Sequence, residues 1–104
     1  MLILTTETFP GKEIIEVKGL VKGGTVRCKH IGKDIGASFK NLVGGEMTGY
    51  TEMLTEARQI AIGRMVDDAT AKGANAIVAM RLMSSSITPG SCEMVAYGTA
   101  VVIE

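Results

Sequence analysis

The closing segment of the chain, SCEMVAYGTAVVIE (91–104), constrains the possible folds more than any other stretch. Its side chains alternate between two faces. One face holds Cys92, Met94, Ala96, Gly98, Ala100 and Val102, and the other holds Glu93, Val95, Tyr97, Thr99, Val101 and Ile103. A period of two residues predicts a β-strand. Because both faces are largely apolar towards the C-terminus, we expect this strand in the centre of a sheet or against a neighbouring subunit.

Two further stretches have the signature of β-strands. The segment GKEIIEVKGLV (11–21) alternates, with one face formed by Ile15, Val17 and Val21 and the other by Glu16, Lys18 and Leu20. This pattern predicts a strand with one solvated face. The pair Gly23-Gly24 predicts a tight hairpin turn, after which TVRCK (25–29) returns as a short strand. NAIVAMRLM (75–83) is also β-rich, and Pro89-Gly90 predicts a turn between it and the closing segment.

A helical period occupies the middle of the chain. Apolar residues at helical spacing predict a first helix that ends at Gly44-Gly45, and these residues are Ile31, Ile35, Phe39, Leu42 and Val43. A second, longer helix is predicted from about Thr48 to Lys72, with Gly73 just past its end.

The apolar residues of the longer helix form more than one stripe. A helix that covers a single sheet face needs one stripe, so the extra apolar surface indicates a second partner. The alternative is a wide stripe inside the core of a monomer. We expect another element to approach closely at Ala57 and Ala61, which lie one turn apart.

The order of these elements predicts one α+β domain over residues 1–104. We expect a three-stranded sheet with a short extra strand and with the helices on one face. The last two strands form a hairpin, and the two helices form the crossover. The other face of the sheet then needs cover, which a second subunit can provide.

Composition also favours association. The chain has 104 residues, of which 46% are hydrophobic, and its mean hydropathy is +0.27. A domain of this size exposes a large share of its surface, so this is more apolar material than one small core readily buries. We therefore expect a homo-oligomer rather than an unusually efficient monomer core.

Charge and aromatic residues argue against nucleic acid as a partner. The 11 basic and 11 acidic residues give a formal net charge of zero, without a basic cluster to bind phosphates. The aromatic side chains are not interleaved with Arg or Lys as a base-stacking surface requires. These side chains are Phe9, Phe39, Tyr50 and Tyr97.

The N-terminal stretch MLILTTETFPGK does not have the pattern of a signal peptide. No run approaches the ~20 apolar residues that a membrane span needs, so we expect no membrane partner. Two cysteines in such a chain suggest reduced thiols and a cytoplasmic location.

Two pairs of residues are candidates for a metal site. Cys28 and His30 stand two residues apart in VRCKHIG (26–32), and Cys92 and Met94 have the same spacing. Thiolate, imidazole and thioether ligands would suit Cu(I), or less well Zn²⁺. Structural zinc sites usually show CxxC or HxxxH spacing, however, and free cysteine also behaves as a small core hydrophobe.

We therefore predict that Cys28 and His30 are not halves of a structural metal site. His30 should be exposed or locally hydrogen-bonded near the start of the first helix, and Cys28 should be a free thiol. Whether Cys28 and Cys92 approach each other cannot be derived from the sequence.

The sequence lacks the common catalytic patterns, including GxSxG and the Walker A loop. The carboxylates are interpreted as solvated helix faces rather than acid–base pairs, and they are Glu46, Glu52, Asp67 and Asp68. Arg58 and Arg64 lie beside apolar stripes, where an intersubunit ion pair is favoured over a ligand contact.

Five segments in order resemble the YbjQ family (UPF0145), a group of uncharacterised proteins whose description reads "putative heavy-metal-binding". The segments are GKEIIEV (11–17), GKDIGASFKNLVGG (32–45), Tyr50…Leu54…Ala57-Arg58…Ala61, GANAIV (73–78) and YGTAVVIE (97–104). They span nearly the whole chain without a gap. One departure is Lys33, where the family more often has arginine beside Asp34.

The resemblance implies a dodecin-like β-α-β-β subunit and a ring-shaped homopentamer. It implies no established reaction, and Cys28 and His30 do not match a family ligand motif. The function we expect is a non-enzymatic binding or structural module that holds a metal or small ligand at subunit boundaries. The alternative is an enzyme whose active site forms between subunits and so leaves no local motif.

Overall fold

The computed structural model describes residues 1–28 and 48–104. Its elements are β1 (Leu2–Ile3), β2 (Ile14–Cys28), α1 (Thr48–Ala71), β3 (Ala76–Ser86) and β4 (Ser91–Ile103). They form one four-stranded sheet in the order β1-β3-β4-β2. β1 is parallel to β3, and the other pairs are antiparallel. The predicted α+β class is confirmed, whereas the first predicted helix and His30 lie outside the described residues.

The predicted hairpin turn at Gly23-Gly24 is wrong. β2 runs through both glycines as one strand of 15 residues, and they stand opposite Ala96 and Val95 of β4. Residues 25–28 of the predicted short strand are therefore the end of β2, and Lys29 lies outside the described residues. The short strand of the sheet is instead β1, which the sequence pattern did not predict. Glycine pairs are typical of turns, but these two have a different physical role.

The central position predicted for the closing strand is confirmed. β4 pairs with β2 on one side and with β3 on the other. The predicted hairpin of the last two strands is also present, with its turn over residues 87–90. The Ser91 amide closes this turn by donating to the Thr88 carbonyl at 3.0 Å.

The main core lies between α1 and one face of the sheet. The helix packs over β2 and β4 and barely touches β3. Small residues dominate the buried set, which consists of Val21, Ala57, Ala61, Met65, Ala69, Ile77, Met94, Ala96 and Ala100. Ala57 and Ala61 are both 0% exposed, which confirms the close approach predicted for them.

Gly23 is the point at which the helix comes closest to the sheet. A Cβ atom built there would lie 2.3 Å from both the carbonyl oxygen of Ala61 and the amide nitrogen of Met65. Real Cβ atoms do not approach backbone atoms so closely, so any larger residue would push the two elements apart. The glycine therefore provides contact between two backbones rather than a turn.

A smaller cluster covers one end of the opposite sheet face. It contains Ala76, Val78, Val101 and Ile103, with Phe9 and Ile14 packed against it. The N-terminal segment holds Phe9 there by extending the β1 pairing. Leu4 donates to the Ile77 carbonyl at 2.8 Å, and the Met80 amide donates to the Leu4 carbonyl at 3.1 Å. The rest of this face, which we call the open face, has no cover among the described residues.

β3 contains a bulge where this N-terminal segment ends. The register shifts between Val78 and Arg81, and Ala79 has a φ of 54°. A left-handed conformation costs a residue with a Cβ roughly 1–2 kcal/mol. The Ala79 amide donates to the Thr6 carbonyl at 2.7 Å, which helps to hold the bulge.

Replacing Gly23 by alanine should destabilise the fold strongly. Because the atoms in the way belong to the helix backbone, we expect the free energy of unfolding to fall by roughly 1–3 kcal/mol or more. Gly24→Ala is the matched control, since a Cβ there would meet its neighbours at an ordinary 3.6 Å. Removing a strand glycine should stabilise the control by roughly 0.5–1 kcal/mol. Urea unfolding at one fixed protein concentration measures the free energy of unfolding of both variants. Equal losses of stability in the two would contradict the backbone contact.

Candidate functional site

The outer edge of β2 is capped by side chains of α1. In a strand the backbone groups of alternate residues face the same edge. Three charged residues, one turn apart along the helix, bond to these groups, and we call Arg64, Asp68 and Lys72 the charged ladder. Its bonds to the strand are Arg64 Nη1 to Gly24 O (2.6 Å), Lys22 N to Asp68 Oδ2 (3.2 Å), and Lys72 Nζ to Leu20 O (2.8 Å).

Two ion pairs support this arrangement. Lys72 Nζ lies 3.6 Å from Asp68 Oδ1 within the charged ladder, and Arg27 of β2 pairs with Glu56 of the helix. Asp68 is therefore not simply a solvated carboxylate, as the sequence suggested. Likewise Arg64 bonds within its own chain, whereas an intersubunit ion pair was favoured for it. The hydrogen bond of Arg58 is to Thr55 Oγ1 at 3.2 Å.

The outer edge of β3 is only partly protected. The N-terminal segment pairs with it as far as Met80, and Arg81 Nη1 donates to the Thr5 carbonyl at 2.9 Å. Beyond that point, no strand or side chain among residues 1–28 and 48–104 bonds to the outer side of residues 82–86, which we call the open edge. Its side chains are uncharged and exposed, with Leu82 39% and Met83 58% exposed.

A cavity of about 310 Å³ lies beside the open edge. The first turns of α1 supply Tyr50, Met53 and Leu54 to its wall, and the end of the β3–β4 hairpin supplies serines 84–86 with Gly90, Ser91 and Cys92. The mixture of apolar groups with several hydroxyls is typical of a site for a small ligand that has both apolar and hydrogen-bonding parts. The Ser91 hydroxyl is partly engaged, because it lies 2.6 Å from Thr88 Oγ1.

The open face carries exposed apolar side chains from two strands. Val17 is 64% exposed, Leu20 62% and Val26 53% on β2, and Met83 is 58% exposed on β3. In the middle of this face Tyr97 stands between two cations, Lys22 on one side and Arg81 on the other. Exposed apolar groups grouped in this way usually mark an interaction surface.

The candidate sulfur ligands fall into two groups. Cys92 and Met94 share the face of β4 that packs towards α1, and they are 8% and 4% exposed. Cys28 stands opposite Ser91 rather than Cys92, so its exposed thiol points to the other side of the sheet. His30 lies outside the described residues. The structure therefore brings Cys92 and Met94 together on one face and separates Cys28 from both.

Sequence reasoning missed Met53 as a member of this region. Its thioether borders the same cavity as the Cys92 thiol. The residue was visible only as part of an apolar helix stripe, which gives no information about the strand it faces. Within residues 1–28 and 48–104, no group of three or more His, Cys, Asp or Glu side chains is placed to hold a metal ion.

Together the fold and site define a small α+β domain with a cavity beside the β3 edge, and residues 1–28 and 48–104 leave that edge and one sheet face partly uncovered. A family whose description reads "Putative heavy-metal-binding" matches residues 1–104. The chain belongs to this YbjQ family, as its sequence segments suggested. In the part of the chain that is described, no helix has the length and apolar character needed to cross a bilayer.

Relatives match along nearly their whole length. A UPF0145 protein of Clostridium perfringens (strain ATCC 13124) is 77% identical over 104 residues, covering 100% of this chain and 98% of the relative. One from Clostridioides difficile is 72% identical, with 100% and 93% covered. A solved structure from Pediococcus pentosaceus, of a DUF74 family protein with unknown function, has a TM-score of 0.65. Its identity is 18%, with 100% and 98% of the chains covered, so the likeness shows the fold.

The two cysteines should differ in reactivity. Cys28 is exposed and Cys92 is buried, so an aromatic disulfide reagent should modify Cys28 rapidly and Cys92 slowly in the folded protein. Cys28→Ser should remove the fast phase and Cys92→Ser the slow one, and in denaturant the two rates should converge. A fast phase that persists in Cys28→Ser would contradict the placement of Cys92.

Removing metal should leave the fold intact. A structural metal couples to folding, so its removal would unfold the chain. We expect a strong chelator to change neither the far-ultraviolet circular dichroism nor the mass of the assembly, with metal analysis run on the same sample. Stoichiometric zinc or copper, lost in Cys28→Ser and His30→Ala, would show that these residues do form a metal site.

Proposed function

We propose that the chain is a cytoplasmic, non-enzymatic binding module that works as a homo-oligomer and holds a ligand at a subunit boundary. The assembly implied by the resemblance is a cyclic pentamer of dodecin-like subunits. The observation that carries the proposal is the position of the cavity. Serines of the open edge form part of its wall, so the cavity lies beside the part of the sheet border that no described residue covers.

The shape of the subunit supports association. The described residues have a radius of gyration of 17.0 Å, whereas a compact domain of about 100 residues is expected to have about 13 Å. The extents of 53 × 25 × 16 Å describe a long, thin body. Such a body buries little of its own apolar surface, and the exposed Val17, Leu20 and Met83 show where surface remains uncovered. A second subunit is the simplest cover.

The cavity wall supports binding as the role of the site. It offers serine hydroxyls, one tyrosine and apolar groups from Met53 and Leu54. These groups orient and bury a ligand without needing to transfer protons. The alternative function is an enzyme with a site completed between subunits. What favours it is the Cys92 thiol in the same wall, since a thiol is a potential nucleophile.

Two ligand classes fit the cavity. The family description suggests a heavy metal, and the Cys92 thiolate with the Met53 thioether would suit a soft ion such as Cu(I). The two sulfurs fall short of the four ligands of a structural zinc site. The second class is a small organic molecule whose polar groups bond to the serines while its apolar part packs on the helix.

The assembly and its ligand can be measured together. Light scattering at micromolar concentration should give a mass several times the 11.0 kDa subunit, and a pentamer would give about 55 kDa. A persistent monomer would contradict the proposal.

Native mass spectrometry should then show a ligand retained by the assembly. Metal analysis of the same preparation distinguishes the two ligand classes. Cys92→Ser should abolish a soft metal but leave an organic ligand bound, and Met53→Leu should weaken the metal alone. Met80→Leu, which alters a methionine outside the cavity wall, is the matched control. Turnover of a retained ligand into product would favour the enzyme.

A further inference from the structure

Two serine side chains form a row along one wall of the cavity. Ser84 stands opposite Met94 and Ser86 opposite Cys92 in the pairing of β3 with β4. Directly opposed residues of two strands project on the same face, so both serine side chains lie on the face towards α1. Alternate residues of a strand are roughly 7 Å apart. The wall therefore offers two hydroxyl groups at a fixed spacing, with the Cys92 thiol beside them.

These two hydroxyls are free to bind a ligand as far as the described part of the chain is concerned. No residue of 1–28 or 48–104 makes a hydrogen bond with the side chain of Ser84 or Ser86. The Ser91 hydroxyl is instead held within the turn, since it accepts from the Thr88 amide at 3.1 Å and lies 2.6 Å from Thr88 Oγ1. The hydrogen-bonding capacity of this wall is therefore concentrated at residues 84 and 86.

The serines stand where the sheet would otherwise continue an apolar surface. Ile77, on the same face of the same strand, is fully buried in the core, and Met94 across the ladder is 4% exposed. The change from apolar side chains to hydroxyls coincides with the part of β3 that α1 leaves uncovered. A ligand in this space meets Met53 and Leu54 of the helix on one side and hydroxyls of the sheet on the other.

The cavity wall has no charged side chain among the described residues. None of the residues that border it is Asp, Glu, Lys, Arg or His. Glu52 and Glu93 adjoin wall residues in the sequence, but neither borders the cavity. An ion that leaves water without gaining an oppositely charged partner loses its hydration at a high cost in free energy. The wall therefore favours an occupant without net charge.

The size of the cavity also favours a molecule over an ion. Water occupies about 30 Å³ per molecule in the liquid, so the 310 Å³ of this cavity is room for roughly ten waters. Cavities that bind small organic ligands begin at about 300 Å³. The Cys92 thiol and the Met53 thioether are two soft ligands, and the described wall has no third cysteine, histidine or carboxylate to join them.

We propose that the natural occupant of the cavity is an uncharged small molecule with two hydrogen-bonding groups that bridge Ser84 and Ser86, while its apolar body packs against Met53 and Leu54. This inference rests on the proposed binding function and selects one of its two ligand classes. Serine hydroxyls both donate and accept, so hydroxyl, amide and carbonyl groups of a ligand all fit them.

A matched series of probes tests the selection against charge. Para-benzenedimethanol, terephthalate and para-xylylenediamine each have one benzene ring with two groups at opposite ends, and they are neutral, doubly negative and doubly positive at neutral pH. Saturation-transfer NMR on the native assembly should detect binding of the diol alone. Absence of diol binding, or stronger binding of either ion than of the diol, would overturn the inference.

Loss of single hydroxyls tests the bridge. Ser84→Ala and Ser86→Ala should each weaken diol binding by roughly five- to tenfold, as expected for the loss of one hydrogen bond. Thr99→Val is the matched control, because it removes a hydroxyl outside the cavity wall and should leave diol binding unchanged. Circular dichroism checks that all three variants fold. Unchanged binding in both serine variants, or an equal loss in Thr99→Val, would overturn the inference.

Analysis of the ligand retained by the purified assembly separates this inference from the function on which it rests. A ligand released by denaturation should be uncharged at neutral pH and should contain no metal. A charged ligand, or a stoichiometric metal lost in Cys92→Ser, would overturn the inference and leave the proposed binding function standing. An assembly that retains no ligand and binds none of the probes would overturn both.

Discussion

The contact between the backbone of α1 and Gly23 determines where the remaining parts of the molecule can lie. With no Cβ at this position, the helix approaches until Ala61 and Met65 touch the strand. At this distance Arg64 and Lys72 reach over the border of β2 and bond to its carbonyl groups. The same contact holds the helix over β2 and β4, so β3 receives little cover from it.

This off-centre helix explains why, among the described residues, the β2 border is protected along the helix and the β3 border is protected only in part. The small side chains under the helix, such as Ala57 and Ala96, allow close packing but fill little volume. Apolar material is instead distributed over a long sheet, where much of it stays exposed. A subunit built in this way has exposed apolar surface that further copies can bury. The cavity lies at the junction of these two regions, which is why assembly and ligand binding are linked in our proposals.

Sequence patterns predicted the secondary-structure elements whose periodicity can be read within one continuous segment. The alternation of 91–104 identified the central strand, and the long helical period identified α1 to within a residue at its C-terminal end. Gly23-Gly24 was misread because a turn and a backbone contact both require glycine, and only the position of the helix distinguishes them. β1 was missed because its two residues are too few for a period. The charged ladder and the placement of Met53 depend on which elements face each other, and periodicity does not contain that information.

The bulge at Ala79 acts as a phase shift in β3. Before it, the even-numbered Ala76 and Val78 lie on the face away from α1, and after it the odd-numbered Arg81 and Met83 do. Flattening the bulge without removing a residue would exchange the faces of residues 81–86, turning Met83 towards α1 and Leu82 away from it, whereas deleting the extra residue would restore regular pairing and leave both faces as they are. The extra residue in β3 therefore decides which side chains of residues 81–86 lie on the open face and which line the cavity.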